Sequence, residues 1–162
     1  MEAEFLEEIR PGLWTWTGAH PEWTPEMTWG PEVRSYAVQI EDERYLIDPV
    51  QPAPRADGIL LTVPWHRRAA DELGIEVLLD PPPGIEARPG YFREEKVYWL
   101  PQHKAIVLGD SFMDGDVPPF ELANDDPDAS KRLRGLLELP FELVLPTHGD
   151  VTDRAGFEAT LA

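Results

Sequence analysis

Apolar and polar positions alternate with period two over Gly12 to Thr17, Arg34 to Ile40 and Arg44 to Asp48, and each run predicts a half-buried β-strand. The acidic tetrapeptide Glu41-Asp42-Glu43-Arg44 reads as the hairpin turn between the last two. Between the first and second runs, His20 to Pro31 shows neither strand nor helix period and carries Pro21, Pro25 and Pro31, so it predicts a loop or lid, ordered or floppy. Beyond the proline-rich link Pro49 to Pro54, Gly58 to Thr62 is continuously apolar, as in a strand buried on both faces. Trp65, Ala69 and Leu73 recur every four residues and Gly74 supplies a stop, which predicts a helix over Trp65 to Leu73.

The second half repeats the vocabulary. Glu76 to Leu79 predicts a strand and Asp80 to Gly84 a rigid turn. Lys96 to Leu100 and Ala105 to Leu108 predict a hairpin around Pro101 to Lys104, with His103 solvated in its turn. Ser130 is a candidate N-cap for a helix presenting Leu133, Leu136 and Leu137 on one face. Leu143 to Leu145 predicts a last buried strand and Thr152 to Leu161 a last helix. The aspartate- and proline-rich stretch Asp114 to Asp128 predicts a surface loop. Hairpins first, a strand-helix unit in the middle and another at the end imply a sheet-rich core covered by helices, in a single domain over 1–162.

Composition narrows the partners. Fourteen basic against thirty-one acidic residues leave a formal charge of −17, a field that repels nucleic acid and anionic lipid. The longest apolar runs are far too short to span a bilayer, and the glutamate-rich first ten residues are the reverse of a signal peptide, so a cytoplasmic, membrane-free protein is expected. With no cysteine, disulfides and thiolate metal sites are excluded, and metal chemistry must rest on His, Asp and Glu.

Polar residues stand where apolar runs end: Asp48, Thr62, Asp110 and His148. Strand ends are where a rigid scaffold presents reactive groups, and they are also where Asp and Gly make turns. The succession Arg34-Ser35-Tyr36-Ala37-Val38, Leu46-Ile47-Asp48-Pro49, Ile59-Leu60-Leu61-Thr62, Ile106-Val107-Leu108-Gly109-Asp110-Ser111 and Leu145-Pro146-Thr147-His148-Gly149-Asp150 resembles the successive motifs of the metallo-β-lactamase superfamily, over roughly residues 12 to 160. The resemblance implies a four-layer αββα sandwich, reduced in size. It also implies a sheet-edge site where one or two metal ions activate water for hydrolysis of esters, thioesters, amides or phosphodiesters.

The departures from that pattern fall on the metal ligands. Where the family has His-x-His-x-Asp-His, this chain has Val63-Pro64-Trp65-His66-Arg67-Arg68, and beside Pro89-Gly90 it has Tyr91, Phe92 and Arg93 in place of a histidine. Asp110 and His148 match the family's ligands, and Asp48 matches a hydrogen-bonding aspartate. Two ligands rarely hold zinc. The preferred expectation is therefore a degenerate site with no cofactor, in which Arg67 or Arg68 pairs with Asp110 and a pocket bordered by His66, Arg67, Arg68, Asp48, Trp65 and His20 takes a small ligand or a protein partner. The alternative is a hydrolase with one zinc, iron or manganese ion on His66, Asp110 and His148, His66 standing one residue out of register with the lost motif. No phosphate loop, nucleophile elbow or calcium loop is present.

Overall fold

The computed structural model describes residues 4–27, 29–113 and 126–161. Of the predicted acidic surface loop, 114–125 lies outside the described residues. The chain divides into two compact units, one running to Leu61 and resuming over Trp65–Pro81, the other comprising Thr62–Pro64 and everything from Pro82 onward.

The first unit is a five-stranded sheet in simple sequence order: β1 (Glu7–Arg10), β2 (Leu13–Ala19), β3 (Glu32–Ile40), β4 (Glu43–Ile47) and β5 (Gly58–Leu60). All neighbours are antiparallel except β4 and β5, which run parallel with Leu46 opposite Ile59. Trp14 and Trp16 share a face by the period of the strand, and they pack with Val33, Ala37, Leu46, Val50 and Ile59. Ala70 from the short helix α1 (Ala70–Leu73) joins that cluster. Leu13, Tyr36, Val38 and Ile47 on the opposite face are buried too, and the charged residues of β3 and β4 fall toward the strand ends.

The predicted helix over Trp65 to Leu73 is cut short. Pro64–His66 forms a single 3₁₀ turn and the α-helix begins only at Ala70. Arg68 stands between them at φ 44°, a left-handed conformation that stops helical propagation. Gly74 does end the helix, at φ 68°. The predicted strand Glu76 to Leu79 reduces to one bridge, Val77 to Ile59.

The second unit holds a sheet ordered β10-β9-β8-β7-β6, built from β6 (Glu86–Pro89), β7 (Lys96–Leu100), β8 (Ala105–Met113), β9 (Leu143–His148) and β10 (Thr152–Asp153). Only β8 and β9 pair in parallel among these neighbours. One face carries Val97, Trp99, Ile106, Leu108 and Val144 against α2 (Ala129–Gly135) and α3 (Arg154–Leu161), through Leu133 and Phe157. Helix α2 starts one residue before the expected cap: Asp128, not Ser130, is its N-cap. The hairpin turn at Pro101–His103 is a 3₁₀ turn in which His103 is buried, not solvated, because the turn folds its last side chain inward. No described helix is long and apolar enough to cross a membrane.

Candidate functional site

In the first unit, Asp48 stands where β4 ends. Asp48 adopts φ 48°, a conformation that Asp tolerates better than most residues and that turns the chain sharply into Pro49. Its fully buried carboxylate lies 2.8 Å, Oδ2 to Nδ1, from His66, itself 2% exposed. An Nδ1–H donated to a carboxylate fixes the imidazole tautomer and leaves Nε2 with the lone pair, the arrangement typical of metal-binding histidines.

The neighbours of His66 divide between interior and surface. Arg68 donates through Nη1 to the main-chain oxygens of Asp48, at 2.7 Å, and Arg34, at 3.3 Å. It therefore braces the same turn. Arg67 points outward to Asp71, four residues on, with bonds of 2.7 to 3.2 Å, and this exposed partner holds the Asp71 carboxyl below its ordinary value. Expected beside Asp110, Arg67 is instead spent on Asp71, which the turn closed by Ala70 N–H to Arg67 O brings within reach. Trp65 is half exposed. His20 accepts from the Glu22 amide at 3.1 Å and meets Trp29 edge to face, with ring centroids 5.0 Å apart. The loop around it is ordered by His20 N–H to Pro31 O at 2.8 Å and Trp23 Nε1–H to Trp29 O at 2.7 Å.

In the second unit Asp110 and His148 come from adjacent parallel strands. β8 and β9 stay in register to Leu108 and Pro146, then slip, so that Met113 is the next residue paired, with His148. Asp110 sits within that irregular stretch, and its Oδ1 lies 3.0 Å from His148 Nε2. Such bulges often re-aim side chains next to active sites.

Directly beside this pair lies a residue the motifs did not single out. Glu95 is 3% exposed and accepts from Tyr91 N, Gly109 N, Ser111 N and Ser111 Oγ. Burial pushes its carboxyl up to about 7; the Ser111 hydrogen bonds oppose the rise, while the charge on Asp110 adds to it. A signal for it existed. By the two-residue period, Glu95 shares parity with Val97 and Trp99, which face the core, although as the second of two glutamates it resembles solvated surface.

Solved structures with the same fold exist at low sequence identity. DIM-1 metallo-β-lactamase exposed to ceftazidime superposes with a TM-score of 0.70, covering 96% of this chain and 94% of its own at 14% identity. The chain has the metallo-β-lactamase fold. A metallo-β-lactamase from Erythrobacter litoralis matches with a TM-score of 0.66 at 15% identity, covering 96% of this chain and 89% of that one. FIM-1 from Pseudomonas aeruginosa in its mono-zinc form matches at 0.62 and 16% identity, covering 96% and 92%. No family model and no curated protein matches the sequence. The metallo-β-lactamase fold accounts for the αββα class and for the order of the strand-end motifs.

Proposed function

We propose that His66, Asp110 and His148 bind one divalent cation, zinc, iron or manganese, and that the chain is a mononuclear metal-dependent hydrolase of an ester, thioester or phosphodiester. The observation that carries this reading is the donor set: the three are a group of described residues able to offer one ligand atom each to an ion. Two imidazoles and one carboxylate are the kind of three-ligand set that catalytic zinc sites use, with a fourth position left open.

Two details support the fit. Asp48 takes the Nδ1 side of His66 and so directs Nε2 to act as ligand atom. The 3.0 Å between Asp110 Oδ1 and His148 Nε2 is close to the roughly 3.3 Å that separates two ligands on a tetrahedral ion with bonds near 2.0 Å. FIM-1 is described in a mono-zinc form, so one ion is a known occupancy for this fold.

When bound, the ion would act as a Lewis acid on the scissile group and lower the pKa of water. The chain's own contribution is to hold two neutral imidazoles and one carboxylate in place, with Asp48 keeping the His66 proton on the far nitrogen. The net charge of −17 disfavours polyanionic substrates and favours neutral esters or thioesters.

A panel of nitrophenyl esters, an acyl thioester and a bis-aryl phosphate, assayed with each metal added, tests the activity. Folded Asp110→Asn and His148→Ala are expected to lose about 100-fold or more, roughly 3 kcal/mol of transition-state stabilisation. Turnover unchanged in both would rule the site out. The metal-free reading has its own support, because Asp110 Oδ1 and His148 Nε2 stand 3.0 Å apart, close enough to pair directly; a protein that binds no metal and takes up an apolar or anionic ligand would favour it.

A further inference from the structure

The stretch of β8 that carries Asp110 is irregular. Between Leu108 and Met113 the register against β9 slips, so Asp110 stands in a distorted part of the ladder. Glu95 adds a second hold on that stretch. Its Oε2 accepts from Gly109 N at 2.9 Å, from Ser111 N at 3.3 Å and from Ser111 Oγ at 2.7 Å, gripping both sequence neighbours of Asp110 with one oxygen. Its Oε1 accepts from Tyr91 N at 3.0 Å, which anchors the carboxylate to the segment before β7.

The surroundings are cut to this shape. A Cβ at Gly90 would stand 2.2 Å from Glu95 Oε1, and one at Gly109 would stand 2.5 Å from Thr62 Oγ1 and 3.2 Å from Glu95 Oε2. No side chain fits at either place without moving the carboxylate or its neighbours. Among the described residues no cation pairs with Glu95, so its acceptor capacity is directed wholly at the peptides and the hydroxyl it holds.

We propose that Glu95 is a positioning residue for Asp110: by clamping residues 109 and 111 in the irregular stretch of the β8 to β9 ladder, it presents the Asp110 carboxylate to His148. The positioning stands on this geometry alone; its consequence for metal binding rests on the hydrolase reading.

Glu95→Gln tests it, since the amide keeps one acceptor oxygen and sets an NH₂ group against one of the present donors. The side-chain ¹⁵N signal of His148 Nε2, read by NMR in metal-free protein that retains the wild-type circular dichroism spectrum, is expected to shift from its wild-type position as the Asp110 carboxylate moves. Affinity for zinc is expected to fall about 10- to 100-fold, the usual effect of removing a group that orients a ligand. An unshifted His148 signal in the folded variant overturns the proposal. If the wild-type protein takes up no zinc, the metal reading fails while the His148 signal still decides the role of Glu95. Should Glu95→Gln not fold, Ser111→Ala, which deletes only the hydroxyl bond, decides instead: a shifted His148 signal supports the clamp and an unmoved one overturns it.

Discussion

Glu95 and Asp48 are both buried carboxylates, yet their surroundings ask different things of them. Glu95, raised from an ordinary 4.5 to about 7, binds its proton more tightly in the folded than in the unfolded chain. Its contribution to stability is therefore fully present below pH 4.5 and is lost as the pH rises through 7, an effect of about 3 kcal/mol over that window. Urea unfolding at pH 5.5 and pH 8 should show the wild-type protein gaining stability toward the lower pH relative to Glu95→Gln. Parallel curves for the two proteins would contradict the assignment. Asp48 instead serves one imidazole, and Asp48→Ala strands the buried Nδ1–H of His66 while putting a less tolerant residue at positive φ. A loss of about 2–3 kcal/mol is expected by chemical denaturation, and less than about 1 kcal/mol would mean that the bond is not maintained in solution. Legibility at this scale was uneven. Asp48, Asp110 and His148 stood out because each ends an apolar run, whereas Glu95 and His103 were hidden because a glutamate pair and a proline turn both look solvated until the strand parity and the inward fold of the turn are known.

Elements were more legible than their ends. β2, β3, β4, β5, β7, β8 and β9 fall where period two or continuous apolar runs put them, since burial of both sheet faces leaves a strong pattern in the sequence. The helix after β5 failed because its spacing was right and its backbone was not: Arg68 at positive φ braces the Asp48 turn in place of continuing a helix. Arg154 adds a polar tie to the apolar anchor that α3 already has in Phe157. At the first residue of α3, its guanidinium donates to the main-chain oxygens of Leu137, Leu139 and Phe141, and lies 4.5 Å from the centre of the Phe141 ring. Arg154→Ala should cost about 3 kcal/mol, and Arg154→Lys should recover only part of it, because an ammonium cannot span the fork. Equal thermal midpoints for Lys and Arg at this position would count against the clamp. At the start of α2, Asp126 is held down to about 2, chiefly by Arg132 at 2.7 Å, so its contribution is present above pH 3.8 and disappears as the pH falls through 2.

For the whole molecule, the order of the strand-end motifs was enough to anticipate the metallo-β-lactamase fold at 14% identity to DIM-1, because the motifs mark strand ends and strand ends follow from the topology. What the order could not convey was the state of the site. Arginines where ligands were expected argued for an ion pair in place of a metal, yet Arg67 faces Asp71 at the surface and Arg68 faces main-chain oxygens of the Asp48 turn. Those contacts depend on a 3₁₀ turn and one left-handed residue, neither of which has a sequence signature strong enough to read. The proposed cation on His66, Asp110 and His148 can be sought by elemental analysis of protein equilibrated with zinc, manganese or iron at neutral pH and then dialysed. About one equivalent per chain is expected, abolished in folded His66→Ala and His148→Ala alike. No retained metal, or metal that survives both substitutions, would contradict the proposed site.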